Sequence, residues 1–510
     1  MKSTEKLHAF HVYGDNLHEC QKFCRLLLQF GHEGGLRYLE TSGNVDRPVY
    51  TFECEESYDG TVRLGMLPCG RYADWATNRR PRVGYEDPDI VLCFASEKDK
   101  VGKPILGVEF NDAIEAGNNA WQRVPRIVQA AERHVPFIYV IPTCDAEIKD
   151  GELRSIRHPN VIIQLAQLIL MARYRTLSLT LFVEGAWHMA GLSKGLVSPQ
   201  TTRVEGEKEL AQLASALMIA AASKKSAFKV SSHMHTLFVR AMKVMLSQIR
   251  HFLSQDFTIL EDNPAFTDVD AAIQTWWNML ADNADLPKEY RFYDWSSAQI
   301  LGKCIPFKKI TSTQSTYERV VNPALSCPAE TRRGMRFASE WRINTSTYAK
   351  GSILDHIKSN NLCRSIPLSY KRGANEIAFI FNSRGFERIL GGAYPSLEPE
   401  VVSHLQSSDG PILFLPIAGY VMDTGGPAFS RPDKGLVGLM RAVFASTGPF
   451  KTRIALLYSP LVPKDWKEQL LEAKEEDKTN YSTLTNNLWR ELVRFATCVI
   501  VDISGSGLVL

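Results

Sequence analysis

The chain has 510 residues with ordinary apolar and charged content, a size that predicts two or three domains and excludes a single small core. Its formal net charge of +3 gives no bulk argument for nucleic acid. Ten scattered cysteines without C-x-x-C or paired zinc-ligand spacing predict free thiols in a reducing cytoplasm and exclude a disulfide scaffold.

The N-terminal residues Met1 to Lys6 lead into no apolar run of the kind a secretory leader needs. Residues 10–30 read as a helix: Leu17, Cys20, Cys24, Leu27 and Leu28 recur at helical period, and Asn16 with Glu19 has capping-box spacing. Residues 48–67 alternate weakly, like a pair of strands at 49–53 and 61–65. An arginine-rich aromatic loop follows, with Arg79, Arg80 and Arg82, and then a hairpin: Asp87-Pro88-Asp89 into Ile90–Phe94, a charged turn, and Ile105–Asn111. A polar turn over 112–119 precedes a helix reaching His134, its interior interrupted by Pro125, and Phe137–Ile141 reads as a buried strand closed by Pro142.

Residues 160–282 read as mostly helical, with helices predicted at 160–174, 207–222, 232–254 and 268–282. The longest apolar run, 161–172, carries two glutamines and is too short to span a bilayer. Cys20 and Cys24 read as buried thiols, and Trp276 and Trp277 as core. His233 and His235 sit two apart on a helix, where they do not share a face. Between 303 and 372, thirteen Lys/Arg oppose four acids, a local net of +9 that leaves −6 for the rest of the chain. From 375 onward, short apolar strands at 377–381, 412–416, 454–458 and 498–501 alternate with helical stretches. A Gly- and Pro-rich loop among them carries Asp423, Arg431, Asp433 and Lys434, which make either a second constellation or ordinary turns and ion pairs.

The hairpin carries the chemistry. If its turn centres near Asp99 and Lys100, paired positions sum to roughly 200, and Asp89 faces Asn111 or its neighbour, close to Glu109. Buried like-charged carboxylates repel, and a hard divalent cation relieves that repulsion. Such a site suits phosphodiester cleavage, because a bound Mg²⁺ lowers the pKa of a water and neutralises charge on the reacting phosphate. The chain has no Walker loop, G-x-G-x-x-G, H-E-x-x-H or G-x-S-x-G, so an NTPase, dehydrogenase, zinc protease or esterase has no support.

Pro88-Asp89 followed by Glu109-Phe110-Asn111 resembles the PD-(D/E)xK nuclease superfamily, the fold of many restriction endonucleases, over about residues 10–145. The resemblance implies an α/β protein whose N-terminal part (1–150) is a restriction-endonuclease-like α/β/α core. A mostly helical region (151–300) and a basic mixed α/β region (301–510) for DNA recognition or partner binding would follow. It implies Asp89 and Glu109 as metal ligands, the Phe110 carbonyl as a further oxygen, Mg²⁺ (or Mn²⁺) as cofactor, and products with a 5′-phosphate and a 3′-hydroxyl. Asn111 departs from the pattern, standing where lysine is usual; it can orient a water but carries no charge. Lys103 lies at the far end of the strand, so Arg123 or Arg126 would have to supply the charge. The resemblance also implies that Glu19 adds a ligand, though the capping box accounts for it equally, and that Gln122 or Arg123 holds a phosphate or a water.

The expected activity is that of a Mg²⁺-dependent DNA endonuclease of a restriction or phage-defence system. Arg79, Arg80, Arg82, Arg123, Lys308, Lys309, Arg332, Arg333, Arg336, Lys371 and Arg372 are the expected DNA contacts. Double-stranded DNA is the expected partner, with a homodimer if the target is palindromic, and a methyltransferase or defence-system partner besides. Two alternatives stay open: a DNA-binding or assembly subunit that keeps the fold without cleaving, and a ligand-gated effector that cuts RNA.

Overall fold

The structure is a computed structural model, and it describes residues 7–14, 17–44, 47–56, 60–71, 88–96, 101–111, 123–143, 145–149, 152–157, 161–183, 205–230, 232–254 and 264–290. In the C-terminal part it describes 364–368, 375–381, 397–407, 412–417, 422–423, 426–427, 453–458, 467–468, 471, 496–501 and 506–510. The chain is mixed α/β and falls into two compact units, residues 1–116 with 126–292, and residues 117–125 with 293–510. Among the described residues no helix is long and apolar enough to cross a membrane.

The first unit is built on an eight-stranded mixed sheet. Its strands are β1 (Leu7–Gly14), β2 (Arg37–Asn44), β3 (Arg47–Glu56), β4 (Gly60–Arg71), β5 (Ile90–Ala95), β6 (Lys103–Phe110), β7 (Phe137–Pro142) and, after a separate hairpin of β8 (Asp145–Lys149) and β9 (Glu152–Arg157), β10 (Ser178–Val183). They lie in the order β10-β7-β6-β5-β1-β4-β3-β2. β1 runs antiparallel to β5 and parallel to β4, while β6, β7 and β10 are mutually parallel.

Five longer helices among the described residues belong to this unit beside α2 (Val124–Glu132), whose first residues fall in the other unit: α1 (Leu17–Phe30), α3 (Ile162–Tyr174), α4 (Gly206–Ser223), α5 (Ser232–Ser254) and α6 (Val269–Ala281). α1 turns Cys20, Phe23, Cys24, Leu26 and Leu27 inward and packs over β1, β4 and β5. α4 packs over β5, β6, β7 and β10. The central strands are consequently apolar through their middles, and Ile90, Val91, Leu92, Cys93, Leu106 and Val108 are all buried.

Several elements differ from the sequence reading. Residues 10–14 are strand, not helix: Phe10, Val12 and Tyr13 are buried in the centre of the sheet, and α1 begins only at Leu17. The helical stretch after 150 is interrupted by β9 and by β10, which pairs with β7 and so extends the sheet beyond residue 150. Pro125 does not interrupt α2; it is the helix's second residue, where a missing N–H costs nothing. The helices read at 160–174, 207–222, 232–254 and 268–282 are present as α3 to α6. Cys20 and Cys24 are buried free thiols, and Trp276 is buried in the core.

The second unit holds a six-stranded sheet, β11 (Arg364–Leu368), β12 (Asn375–Phe381), β13 (Ile412–Ile417), β14 (Arg453–Tyr458), β15 (Cys498–Val501) and β16 (Gly507–Val509), in that spatial order. Its centre, β13 to β15, is parallel. A short helix, α7 (Pro399–Gln406), packs Val401 and Leu405 toward β16.

Candidate active site

The β5–β6 hairpin forms. Ile90 pairs with Val108, Val91 with Gly107 and Leu92 with Leu106, and an irregularity then shifts the register so that Cys93 meets Pro104. Paired positions therefore sum to 197 nearer the turn and 198 toward the open end, rather than 200, the extra residue adding one to the sum. Carried one residue further, that register sets Asp89 opposite Glu109 and not opposite Asn111. The two acids are tied together through the main chain. The Phe110 N–H donates to Asp89 Oδ2 at 2.7 Å, and the Asp89 N–H lies 3.3 Å from Glu109 Oε2.

The surroundings of the pair follow from chain order. β1 ends at Gly14, opposite Ile90. A Cβ there would lie 2.8 Å from the Asp89 carbonyl oxygen and 2.9 Å from Cys20 Sγ, so only glycine lets β1 end against Asp89. α1 starts three residues later and carries Glu19 in its first turn. Glu19's charge reaches Asp89. Three residues along, Lys22 lies with Nζ 4.6 Å from the Phe110 ring centre and 3.9 Å from Glu207 of α4. Asn16 lies outside the described residues, so the capping box is not described.

On the other side stands α2. Arg126 Nη1 pairs with Glu109 Oε1 and lies 3.8 Å from Asp89 Oδ1. Glu109 is completely buried, and a charge so placed is costly unless it is paired. Asp89 is pushed up to about 7, first by burial and next by the charge of Glu109. Glu19 adds to that rise, while Arg126 and the Phe110 N–H oppose it.

Position 111 is built into the neighbouring strand. The Asn111 main-chain N–H donates to the Val140 carbonyl at 2.9 Å, and its side-chain amide donates to the Tyr139 hydroxyl at 2.9 Å. Tyr139 is itself buried, and in the register of β6 and β7 it stands beside Glu109. Lys103 begins the strand that Glu109 nearly ends, so about 20 Å separates their backbones at roughly 3.3 Å per residue.

The carboxylate oxygens of Asp89 and Glu109 are hard donors. They suit a cation that keeps most of its water shell and takes one or two carboxylates, as Mg²⁺ does. Among the described residues no group of three or more His, Cys, Asp or Glu side chains is gathered as a fuller metal cage would need. Of the other expected site residues, Arg123 is half-buried just before α2. Gln122, Arg79, Arg80, Arg82, Lys308, Lys309, Arg332, Arg333, Arg336, Lys371 and Arg372 lie outside the described residues. Asp423 closes a two-residue strand, while Arg431, Asp433 and Lys434 also lie outside. His235 packs edge-on against Trp277, as a helix-surface histidine does.

Sequence reasoning named Arg126 only as one of two charge donors and missed Tyr139. The signal for Tyr139 was a hydroxyl-bearing ring in an otherwise apolar, fully buried strand. Comparison with protein-family models, with curated proteins and with solved structures returns no match to this chain.

Proposed function

We propose that this chain is a divalent-metal-dependent endonuclease acting on DNA, with the PD-(D/E)xK type of site at the open end of the β5–β6 hairpin. One observation carries the reading: two part-buried to buried carboxylates, Asp89 and Glu109, are tied to each other's strands by main-chain N–H groups at a point where burial, and next the charge of Glu109, raise Asp89. Asp89 and Glu109 would hold Mg²⁺ or Mn²⁺, with the Phe110 carbonyl as a third oxygen. When bound, the metal supplies an activated water and neutralises charge developing on the phosphate.

The chain's own residues do the remaining work. Asn111, fixed by Tyr139, orients a water by hydrogen bonding. Arg126 is the guanidinium that stands beside both carboxylates, where position 111 carries no charge. Glu19 adds negative charge on the α1 side, which favours a divalent over a monovalent cation. The lopsided basic segment between 303 and 372 supplies phosphate contacts for double-stranded DNA. A restriction or phage-defence role, with a dimer reading a palindromic target, accords with such a nuclease.

The test is plasmid DNA incubated with Mg²⁺ or Mn²⁺ and with wild type, Asp89→Ala or Glu109→Ala. Nicked or linear product with wild type alone is expected, the variants falling at least about 10²-fold. Cleavage unchanged in both variants would place the chemistry elsewhere. Asn111 in the lysine position favours a second reading, a DNA-binding subunit without turnover. That reading expects a salt-sensitive gel shift and no cleavage with either metal.

A further inference from the structure

Each carboxylate of the pair has one oxygen taken by the opposite strand: Glu109 Oε2 faces the Asp89 N–H, and Asp89 Oδ2 accepts from the Phe110 N–H. The other two oxygens, Glu109 Oε1 and Asp89 Oδ1, lie against one and the same atom, Arg126 Nη1. A cation held by the two acids would take the place the guanidinium now fills between them. The guanidinium and the metal therefore compete for one position.

We infer that Arg126 is a built-in counter-ion that holds the cation position in the metal-free protein and must be displaced for a divalent cation to bind. This rests on the proposed metal site and adds a regulation to it. Glu109 is completely buried and Arg126 only partly so, with 16% of its side chain exposed. The acid is thus fixed while the base has a route outward. α2 carries Arg126 in its first turn, so the side chain can withdraw without moving the sheet. Two cations at one bridging position repel strongly, so occupancy is exclusive. The metal-free site stays assembled without an uncompensated buried charge, and metal binding is weaker than the bare carboxylates would give.

The experiment measures Mn²⁺ binding by the loss of the free-ion EPR signal, using the full chain as wild type, Arg126→Gln, Arg126→Lys and the double variant Asp89→Asn/Glu109→Gln. Thermal melts establish that each is folded. Arg126→Gln is expected to bind Mn²⁺ at least about tenfold more tightly than wild type, because a competing charge is gone. Arg126→Lys should stay near wild type, and the double variant should bind none. Equal affinity in wild type and Arg126→Gln, with binding abolished in the double variant, overturns the displacement and leaves the metal site standing. No binding in wild type and Arg126→Gln alike overturns both.

A second measurement needs no destabilised variant. Wild type labelled with ¹⁵N in its arginine guanidinium groups is titrated with Mg²⁺, and the Arg126 signal is assigned by its loss in Arg126→Lys. That signal should shift together with the Phe110 amide, which is bonded to Asp89. A Phe110 shift with the Arg126 signal unmoved would contradict the displacement.

Discussion

Asp89 sits where two forces oppose. Burial and the neighbouring Glu109 push its carboxyl up to about 7 from an ordinary 3.8, while Arg126 and the Phe110 N–H pull it down. The folded chain therefore holds this proton more tightly than the unfolded chain. The resulting contribution to stability is fully present below pH 3.8, is lost as pH rises toward 7, and is flat above. Chemical denaturation of wild type and Asp89→Asn across that range should show the variant gaining on wild type by up to a few kcal/mol at high pH. A stability difference independent of pH would show that the proton is not held there. Tyr139 gives a second prediction at this scale. Removing its hydroxyl in Tyr139→Phe costs about 1 kcal/mol through the lost Asn111 bond. If Asn111 orients the water, cleavage should fall while Mn²⁺ affinity stays at the wild-type value. A parallel fall in both would make Tyr139 a support of the fold alone.

At the scale of elements, the site exists because three chain segments end or begin at one place: β1 ends, β5 begins and β6 ends. Gly14 is where β1 comes tight against the start of β5. A methyl group there meets the Asp89 main-chain carbonyl as well as the buried Cys20 side chain, so Gly14→Ala should destabilise by about 1–3 kcal/mol and displace Asp89. Urea melts and Mn²⁺ binding measured together check this; an unchanged melt and unchanged affinity would mean the contact relaxes freely. The hairpin itself was legible in the sequence, since two apolar runs bounded by Pro88-Asp89 and Glu109-Phe110-Asn111 leave little choice of pairing. Its exact register was not: the pairing is offset by two from a turn centred at Asp99 and Lys100, and an extra residue beside Pro104 shifts it by one along the strand. β1 was read as helix because helical spacing in α1 was extended backwards over Phe10 and Val12, whose burial is decided by the strands on either side. β2 was missed because nearly all its residues are exposed, so the alternation that betrays a half-buried strand is absent. Arg126 and Tyr139 come from elements beyond the hairpin. Only tertiary packing shows that one crosses to Glu109 and the other to Asn111.

For the whole molecule, net charge conceals a division: a segment of net +9 within a chain of net +3. If that segment holds DNA, replacing Arg332, Arg333 and Arg336 by Gln should weaken binding evenly across sequences. It should also reduce the slope of log affinity against log salt by about 2–3, near one unit per phosphate contact removed. An unchanged slope, measured by fluorescence anisotropy over a salt series, would assign DNA contact to another surface. The account as a whole stands on a cation held between Asp89 and Glu109. Crystals of the full chain soaked in Mn²⁺ and measured near the manganese absorption edge test this directly. The account predicts an anomalous peak bonded to Asp89 Oδ1 and Glu109 Oε1, with the Arg126 guanidinium moved away. A map with Arg126 still seated on both carboxylates, and manganese elsewhere or absent, would contradict it.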